Sequence, residues 1–253
     1  MPSCTVRNVS LNYLDAGTKS HSQPPFVLIH GAGGNSSRWQ EQLEPLGETS
    51  YTIALDLPGH GASEGSPCDQ IFLYREWLWE FINTMELEEV VVAGHSMGGA
   101  IALDFALKYP RQTRGLILVG TAARFEPDPD RMEALRQGEY RPEWVREGFS
   151  AYTSQEIIDQ FIQEGMTQDP KVLYIDMLAC SRFNCSREKL QSIETPAVII
   201  CGTEDVATPP KSSRRLDKHL PYSSLSLIEK AAHQVMLEQP ESVNKAIFDF
   251  MSF

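Results

Sequence analysis

The segment Val90-Val91-Val92-Ala93-Gly94-His95-Ser96-Met97-Gly98-Gly99 decides how this chain folds, because a short apolar run leads through a glycine-flanked serine into a helical pattern. The run Val90–Ala93 has the length and β-branched composition of a buried strand. The residues from Ala100 to Tyr109 have the apolar spacing of a helix. A strand, a G-x-S-x-G turn and a helix in this order predict a sharp turn that exposes the Oγ atom of Ser96.

Outward from this turn, short apolar runs alternate with helical patterns along most of the chain. The runs are Pro25–His30, Thr52–Leu55, Leu116–Val119, Ala197–Ile200 and Leu225–Ile228. A helical pattern runs from Ile71 to Met85, and Val9–Leu14 alternates like a half-buried strand. This alternation predicts an α/β fold with a mostly parallel central sheet flanked by helices. In such a sheet, functional residues follow the carboxyl ends of the strands.

Residues 123–190 depart from the alternation. They contain helix-like segments without a strong strand pattern: Asp130–Gly138, Trp144–Thr153, Ser154–Glu164 and Val172–Cys180. A crossover between parallel strands needs only about a dozen residues, so this length favours an inserted helical cap, or lid, over ordinary crossover helices. We therefore expect a core of residues 1–122 and 191–253 and a helical cap of residues 123–190.

The expected cap is rich in aromatic side chains. They are Trp144, Phe149, Tyr152, Phe161, Tyr174 and Phe183. We expect some of these rings to pack the cap onto the core and others to line an apolar pocket above Ser96.

Ser96 needs a base, because a serine hydroxyl is a poor nucleophile until its proton is removed. The candidate bases are His21, His30, His60, His95, His219 and His233. His233 follows the run Leu225–Ile228 and should therefore lie at the carboxyl end of a strand. The others lie in glycine turns, a loop, a polar helix or, for His95, beside Ser96 on the turn. His233 is the expected general base.

An acid is expected between Ser96 and His233 in the chain, since this order accompanies the G-x-S-x-G turn. Asp205 meets the requirement, because it follows the run Ala197–Ile200. It would hold one tautomer of the imidazole and stabilise the imidazolium. Its neighbour Glu204 is the competing candidate, and only one of the two can point at the histidine.

Two backbone amides are expected to form an oxyanion hole. The N–H of Met97 lies at the N-terminus of the helix after Ser96, where partial positive charge favours a developing oxyanion. The second donor should come from the loop His30-Gly31-Ala32-Gly33-Gly34, whose glycines let the backbone approach the site. The N–H of Ala32 is the first candidate and that of Gly33 the second.

The composition describes a chain of 253 residues with 34 acidic and 22 basic residues and a formal net charge of −12. Such an acidic surface repels phosphate groups, so neither nucleic acid nor an anionic membrane is an expected partner. The first seven residues lack an apolar signal segment, and no apolar run reaches the ~18 residues of a membrane span. With five cysteines, reduced thiols in a cytoplasmic protein are expected. The expected partner is a small-molecule substrate, and the oligomeric state is left open.

Together these motifs resemble the α/β-hydrolase superfamily along essentially the whole chain. The matching residues are His30-Gly31, Trp39, Asp56-Leu57-Pro58-Gly59-His60-Gly61-Ala62-Ser63, the nucleophile elbow around Ser96, Gly202 with Asp205, and His233 before Glu238-Gln239-Pro240. The pattern is similar to the single-domain esterase, lactonase and carbon–carbon-bond hydrolase group with a helical cap. The resemblance implies a Ser96–Asp205–His233 triad and a structural role for the turn that holds His60. Serine at the elbow argues against haloalkane dehalogenases and epoxide hydrolases, which carry aspartate there.

The expected activity is that of a serine hydrolase that cleaves a small or medium carboxylic ester, thioester or lactone through an acyl-enzyme, without a metal or organic cofactor. An alternative is a carbon–carbon-bond hydrolase or lyase that uses the same triad on a carboxylate-bearing substrate. Such a substrate would be bound by cap arginines, for which the candidates are Arg124, Arg131, Arg136 and Arg182. A further alternative is a non-catalytic small-molecule receptor on the same fold.

Overall fold

In the computed structural model, which describes residues 1–20, 23–167 and 169–252, the strands form one eight-stranded sheet. The strands are β1 (Ser3–Val6), β2 (Val9–Ala16), β3 (Phe26–Ile29), β4 (Thr52–Leu55), β5 (Val90–His95), β6 (Thr113–Val119), β7 (Ala197–Gly202) and β8 (Ser223–Ile228). Their order in the sheet is β1-β2-β4-β3-β5-β6-β7-β8. Strand β2 pairs antiparallel with both β1 and β4. The pairs β4–β3, β3–β5, β5–β6, β6–β7 and β7–β8 are parallel. The predicted mostly parallel sheet is confirmed.

Helices flank this sheet and connect its strands. They are α1 (Gln40–Gly47), α2 (Ile71–Thr84), α3 (Met97–Lys108), α4 (Pro129–Arg136), α5 (Glu143–Arg146), α6 (Gln155–Met166), α7 (Pro170–Arg182), α8 (Arg187–Gln191), α9 (Pro210–His219), α10 (Val235–Glu238) and α11 (Pro240–Met251). Within the described ranges, no helix combines the length and the apolar character needed to cross a bilayer.

The apolar runs are continuous because the central strands are covered on both faces. In β3, Val27 and Ile29 belong to a buried cluster that includes residues of α2 and α3, such as Phe81 and Leu103. The alternate residues Phe26 and Leu28 belong to a second cluster with α1 and α11 on the other face. Successive side chains of a strand point to opposite faces, so a strand buried on both faces is apolar at every position.

The 123–190 segment lies between β6 and β7 and carries the helices α4 to α8, the last of which ends at Gln191. Helix α7 packs against α4 within the segment and against α2 and α3, which cover one face of the sheet. The predicted helix Trp144–Thr153 is wrong beyond Arg146, where turns follow. Tertiary hydrogen bonds replace helical ones there, since the carbonyl of Gly148 accepts the His233 N–H at 3.0 Å and Ser150 N–H donates to Glu238 at 2.8 Å.

Helix α3 packs so closely against the end of β3 that we expect a single added methyl group at this contact to destabilise the fold strongly. A Cβ atom at Gly98 would lie 2.3 Å from the carbonyl oxygen of Ile29 and 2.8 Å from that of His30. Because both atoms are backbone, we expect Gly98→Ala to lower the free energy of unfolding by about 3 kcal/mol or more. Urea denaturation measures this loss.

Gly138→Ala is the matched control. Gly138 has a φ of +85°, but nothing lies within 4 Å of a Cβ atom placed there. Only the backbone conformation is then penalised, by about 1–2 kcal/mol. Equal losses in the two variants would mean that α3 does not approach β3 as closely as described.

Candidate active site

Ser96 lies between the last residue of β5 and the first residue of α3, and its backbone has φ 51° and ψ −114°. This conformation is strained for a residue with a Cβ atom. Two hydrogen bonds hold it: Ser96 N–H donates to the carbonyl of Val119 at 2.9 Å, and Thr121 Oγ1 donates to the Ser96 carbonyl at 2.7 Å. The neighbouring strand β6 therefore fixes the turn on which the serine hydroxyl is presented.

Asp205 and His233 follow β7 and β8 and meet beyond the ends of these strands. The Nδ1 atom of His233 lies 2.9 Å from Oδ2 of Asp205, whose side chain is buried. Burial by itself raises the pKa of Asp205, but the nearby His233 and hydrogen bonds from His233 and Thr208 outweigh it and lower the pKa below its ordinary value. The Asp205 carboxylate therefore accepts a hydrogen bond from the protonated Nδ1 of His233. The unprotonated Nε2 is left as the basic nitrogen of the ring.

Further donors fix the Asp205 carboxylate. Its Oδ1 accepts the N–H groups of Ala207 at 2.9 Å and Thr208 at 2.8 Å, and Oδ2 accepts the Thr208 hydroxyl at 2.8 Å. The competing acid Glu204 is exposed, and its carboxylate accepts the N–H of Ala151 at 3.4 Å. Of the two acids, only Asp205 contacts His233.

The other predicted histidines occupy different positions. His95 Nε2 donates to the carbonyl of His233 at 2.8 Å, and burial, followed by the proximity of His233, lowers the pKa of His95 to about 3. His30 Nδ1 donates to the Gly31 carbonyl and its Nε2 accepts the N–H of Leu57, so both nitrogens are engaged. His219 lies on α9, and His21 lies outside the described residues.

The loop after β3 runs beside the serine. A Cβ atom added to Gly31 would lie 3.2 Å from Cβ of Ser96. The N–H of Gly33 donates to Asp176 Oδ2 at 2.8 Å, and that of Gly34 donates to the Gly31 carbonyl at 3.0 Å. The N–H of Gly33, the second candidate for the oxyanion hole, is therefore already engaged by a carboxylate.

The other amide expected in the oxyanion hole is that of Met97. As the first residue of α3, Met97 has an N–H without an intrahelical acceptor. It lies directly after Ser96, at the positive end of the helix dipole.

A cavity of about 380 Å³ contains the serine and the histidine. Its lining includes Ala32, Ser96, Thr208 and His233 and, from the 123–190 segment, Phe125, Trp144, Val145, Phe161, Leu173 and Met177. Of the predicted aromatic residues, Trp144 and Phe161 line the cavity. Phe149 packs edge-on against Phe161 with ring centroids 5.2 Å apart, whereas Tyr152 is 65% exposed.

Each of the four candidate arginines faces a carboxylate. Arg131 lines the cavity, but its guanidinium lies 2.6 Å from Glu147. Outside it, Arg124 lies 3.6 Å from Glu126 and Arg136 lies 2.6 Å from Glu133, and Arg182 pairs with Asp69. None of the four is an uncompensated cation in this structure.

Besides Arg131, the cavity is lined by Arg38, which was not predicted from the sequence. Arg38 is only 6% exposed, and its Nη1 atom lies 2.8 Å from Oε2 of Glu164 on α6. Its guanidinium carbon lies 3.5 Å from the centroid of the Phe161 ring, a cation–π contact. No local pattern identifies Arg38, because both of its partners lie in the 123–190 segment. Among the described residues, no group of three or more His, Cys, Asp or Glu side chains is arranged to hold a metal ion.

Comparison with known proteins accords with this geometry. A family model described as "Serine aminopeptidase, S33" matches residues 20–240. The chain belongs to this family. It is therefore an α/β hydrolase, and the predicted fold and enzyme class are confirmed.

Individual relatives are distant but match over most of their length. An (E)-2-((N-methylformamido)methylene)succinate hydrolase from Acinetobacter baylyi is 27% identical over 240 residues, which cover 88% of each chain. The structure of an esterase from Thermogutta terrifontis, with malate bound, is 26% identical with a TM-score of 0.88 and covers 99% of this chain and 97% of that one. The enol-lactonase from Burkholderia xenovorans LB400 has a TM-score of 0.92 over 100% of both chains, and at 23% identity this likeness shows the fold alone.

The lowered pKa of Asp205 predicts a pH-dependent contribution to stability. A depressed folded-state pKa stabilises the fold above the unfolded-state value of about 3.9, and this stability is lost as the pH falls through the lower folded-state pKa. We expect Asp205→Asn to lower the free energy of unfolding at pH 7, and we expect its difference from wild type to narrow below about pH 4. Urea denaturation at a series of pH values measures both.

Glu204→Gln is the control for this experiment, since it removes an exposed carboxylate next in sequence. Its effect on the free energy of unfolding should be small and should not show the pH dependence expected for Asp205→Asn. A constant deficit of Asp205→Asn from pH 7 to pH 3 would contradict the assignment of a depressed pKa.

Proposed function

We propose that this hydrolase cleaves small or medium carboxylic esters, thioesters or lactones by acyl transfer, with Ser96 as the nucleophile, His233 as the base and Asp205 as the orienting acid. The observation that carries the proposal is the 2.9 Å contact between His233 Nδ1 and Asp205, made by a histidine that lines the same cavity as Ser96. A nucleophile, a base and a group that orients the base are what this chemistry requires.

The reaction begins when His233 Nε2 takes the proton of the Ser96 hydroxyl and Oγ attacks the carbonyl carbon of the substrate. The carbonyl oxygen becomes an oxyanion, which accepts hydrogen bonds from the N–H groups of Ala32 and Met97. His233 then gives the proton to the leaving oxygen or sulfur, and the acyl group stays on Ser96. Water, deprotonated by His233, attacks the acyl-enzyme, and the carboxylic acid leaves as Oγ regains its proton.

We infer that residues 123–190 form a helical cap over a core of residues 1–122 and 191–253. Support comes from the cavity lining, since Trp144, Phe161 and Leu173 from this segment share the cavity with Ser96. Apolar walls exclude water and orient an acyl or alcohol group. The volume of about 380 Å³ suits a small or medium substrate.

The charges around the cavity favour a neutral substrate over a carboxylate-bearing one. The two arginines that line it, Arg38 and Arg131, are each paired with a glutamate at 2.8 and 2.6 Å. Each guanidinium is already balanced by its glutamate, so a substrate carboxylate would meet little net positive charge in the cavity. The succinate derivative named for the Acinetobacter relative is therefore a less suitable substrate for this chain.

We also infer a cytoplasmic location, on the basis of the cysteines. All five are free thiols. Burial raises the pKa of Cys185 and of Cys201 to about 11, so both stay protonated and unreactive. A protein without disulfides in this size range is typical of a reducing compartment.

The triad is tested by single substitutions. We expect Ser96→Ala to remove nearly all turnover of p-nitrophenyl esters, with a loss of several orders of magnitude in kcat and an unchanged melting temperature. Asp205→Asn should also lower kcat strongly, whereas Glu204→Gln should leave it nearly unchanged. More than about a tenth of wild-type activity in Ser96→Ala would overturn the assignment, and inactive wild-type protein would favour a receptor.

The neutral-substrate proposal is tested by freeing one guanidinium. Glu147→Gln removes the partner of Arg131 inside the cavity, so we expect kcat/KM for a succinate monoester, relative to its uncharged methyl diester, to rise about tenfold or more. Glu133→Gln frees Arg136, which does not line the cavity, and is the matched control. If wild-type enzyme already prefers the monoester, the cavity is selective for carboxylates and this part of the proposal fails.

A further inference from the structure

Asp176 is a fully buried acid that lies outside the proposed triad, in the middle of α7. Three donors from three separate parts of the chain converge on its carboxylate. Oδ2 accepts the N–H of Gly33 and lies 2.8 Å from Nε2 of His60, and Oδ1 accepts the hydroxyl of Tyr74. Helix α7 of the proposed cap is thereby joined to the loop after β3, to the turn after β4 and to α2.

His60 carries the charge that balances Asp176. Its Nδ1 lies 3.1 Å from the carbonyl oxygen of Pro58, and its Nε2 faces the Asp176 carboxylate, so both neighbours are acceptors. Both ring nitrogens must then donate, which requires an imidazolium. Burial lowers the pKa of His60, but the charge and hydrogen bond of Asp176 outweigh it and raise the pKa above its ordinary value. The pair is a buried ion pair without net charge.

Helix α7 touches the loop at a second point. Gly33 has a φ of +61°, and a Cβ atom there would lie 3.1 Å from Cδ1 of Leu173. Leu173 and Asp176 are three residues apart and therefore lie on the same face of the helix. The Gly33 peptide is thus packed from one side and hydrogen bonded through its N–H.

We propose, resting on the function proposed above, that Asp176 is a positioning residue for the oxyanion hole, because its carboxylate holds the Gly33 amide so that the adjacent Ala32 N–H faces the substrate oxygen. Fixing one peptide plane restricts the next one, and the loop already passes close to the serine, since a Cβ atom added to Gly31 would lie 3.2 Å from Cβ of Ser96. The His60 imidazolium has a second part in this arrangement. It neutralises a carboxylate that would otherwise repel the developing oxyanion.

The test compares steady-state kinetics with binding of a tetrahedral adduct. For Asp176→Asn, with p-nitrophenyl acetate as the substrate, we expect kcat to fall about 10–100-fold while KM changes less than about threefold. The Ki of an alkyl trifluoromethyl ketone, which adds to a serine hydroxyl as an oxyanion, should rise by the same factor as kcat falls. A merely structural role would change the melting temperature without this matched pair of effects.

Two control variants show whether the kinetic effects come from positioning of the Gly33 amide or from the general loss of a buried carboxylate or hydrogen bond. Asp104→Asn changes a partly buried aspartate that pairs with Arg75 at 2.8 Å outside the cavity, and it should leave kcat and Ki unchanged. Tyr74→Phe removes one hydrogen bond to Asp176 but keeps the Gly33 contact. It should keep kcat within about threefold of wild type even if the melting temperature falls.

His60→Gln tests the charge balance and serves if Asp176→Asn does not fold. The amide can still donate to Asp176 but carries no charge, so we expect kcat to fall about tenfold with little change in KM. Wild-type kcat and ketone affinity in a folded Asp176→Asn or His60→Gln variant would overturn the inference. If wild-type protein neither cleaves the ester nor binds the ketone, the proposed function itself fails, which is a distinguishable result.

Discussion

The strained conformation of Ser96 is the constraint on which the rest of the site depends. A φ of 51° is costly for serine, by about 1–3 kcal/mol, and persists only where surrounding structure enforces it. Strand β6 does so through Val119 and the following Thr121, and α3 does so by packing against the end of β3. The hydroxyl is therefore presented only when β3, β5 and β6 are paired. Since β7 and β8 run parallel to them, Asp205 and His233 come to the same edge.

Burial of ionisable groups is the second constraint, and this structure meets it by pairing charges or by keeping groups neutral. Asp205 is surrounded by donors, Asp176 faces an imidazolium, and Arg38 faces Glu164. His95 stays neutral, because burial depresses its pKa to about 3. An unpaired buried charge would cost several kcal/mol. Among the histidines that line the cavity, His233 is thereby distinguished as the one oriented by a carboxylate.

Much of the fold could be predicted from sequence because it depends on local patterns. The β5–α3 turn is written in six consecutive residues, and the central strands are continuous apolar runs. The positions of Asp205 and His233 could be predicted from strand ends and chain order. Strand β1 was not predicted, since only Val6 of its four residues is buried. The helix predicted to extend to Thr153 ends early because Ser150 bonds to Glu238, 88 residues away.

Asp176 and Arg38 show why the other residues of the site could not be predicted from the sequence. Asp176 lies 143 residues from Gly33 and 116 from His60 in the chain, and a single acid within a helical pattern is typical of an exposed face. Only the folded structure brings these groups together, so their roles follow from tertiary contacts and not from a motif.

The same long-range contacts tie the proposed cap to both loops that frame the serine. Through Gly148, the 123–190 segment accepts the backbone N–H of His233 at 3.0 Å, and through Asp176 it accepts that of Gly33 at 2.8 Å. The Glu238 carboxylate adds a third connection, because it accepts N–H groups from Ser150 and from Ala232, the residue before His233. Movement of the segment away from the sheet would break bonds that orient the histidine loop and the oxyanion loop. The geometry of the proposed triad is therefore a property of core and cap together, and substitutions at their contact act on catalysis as well as on stability.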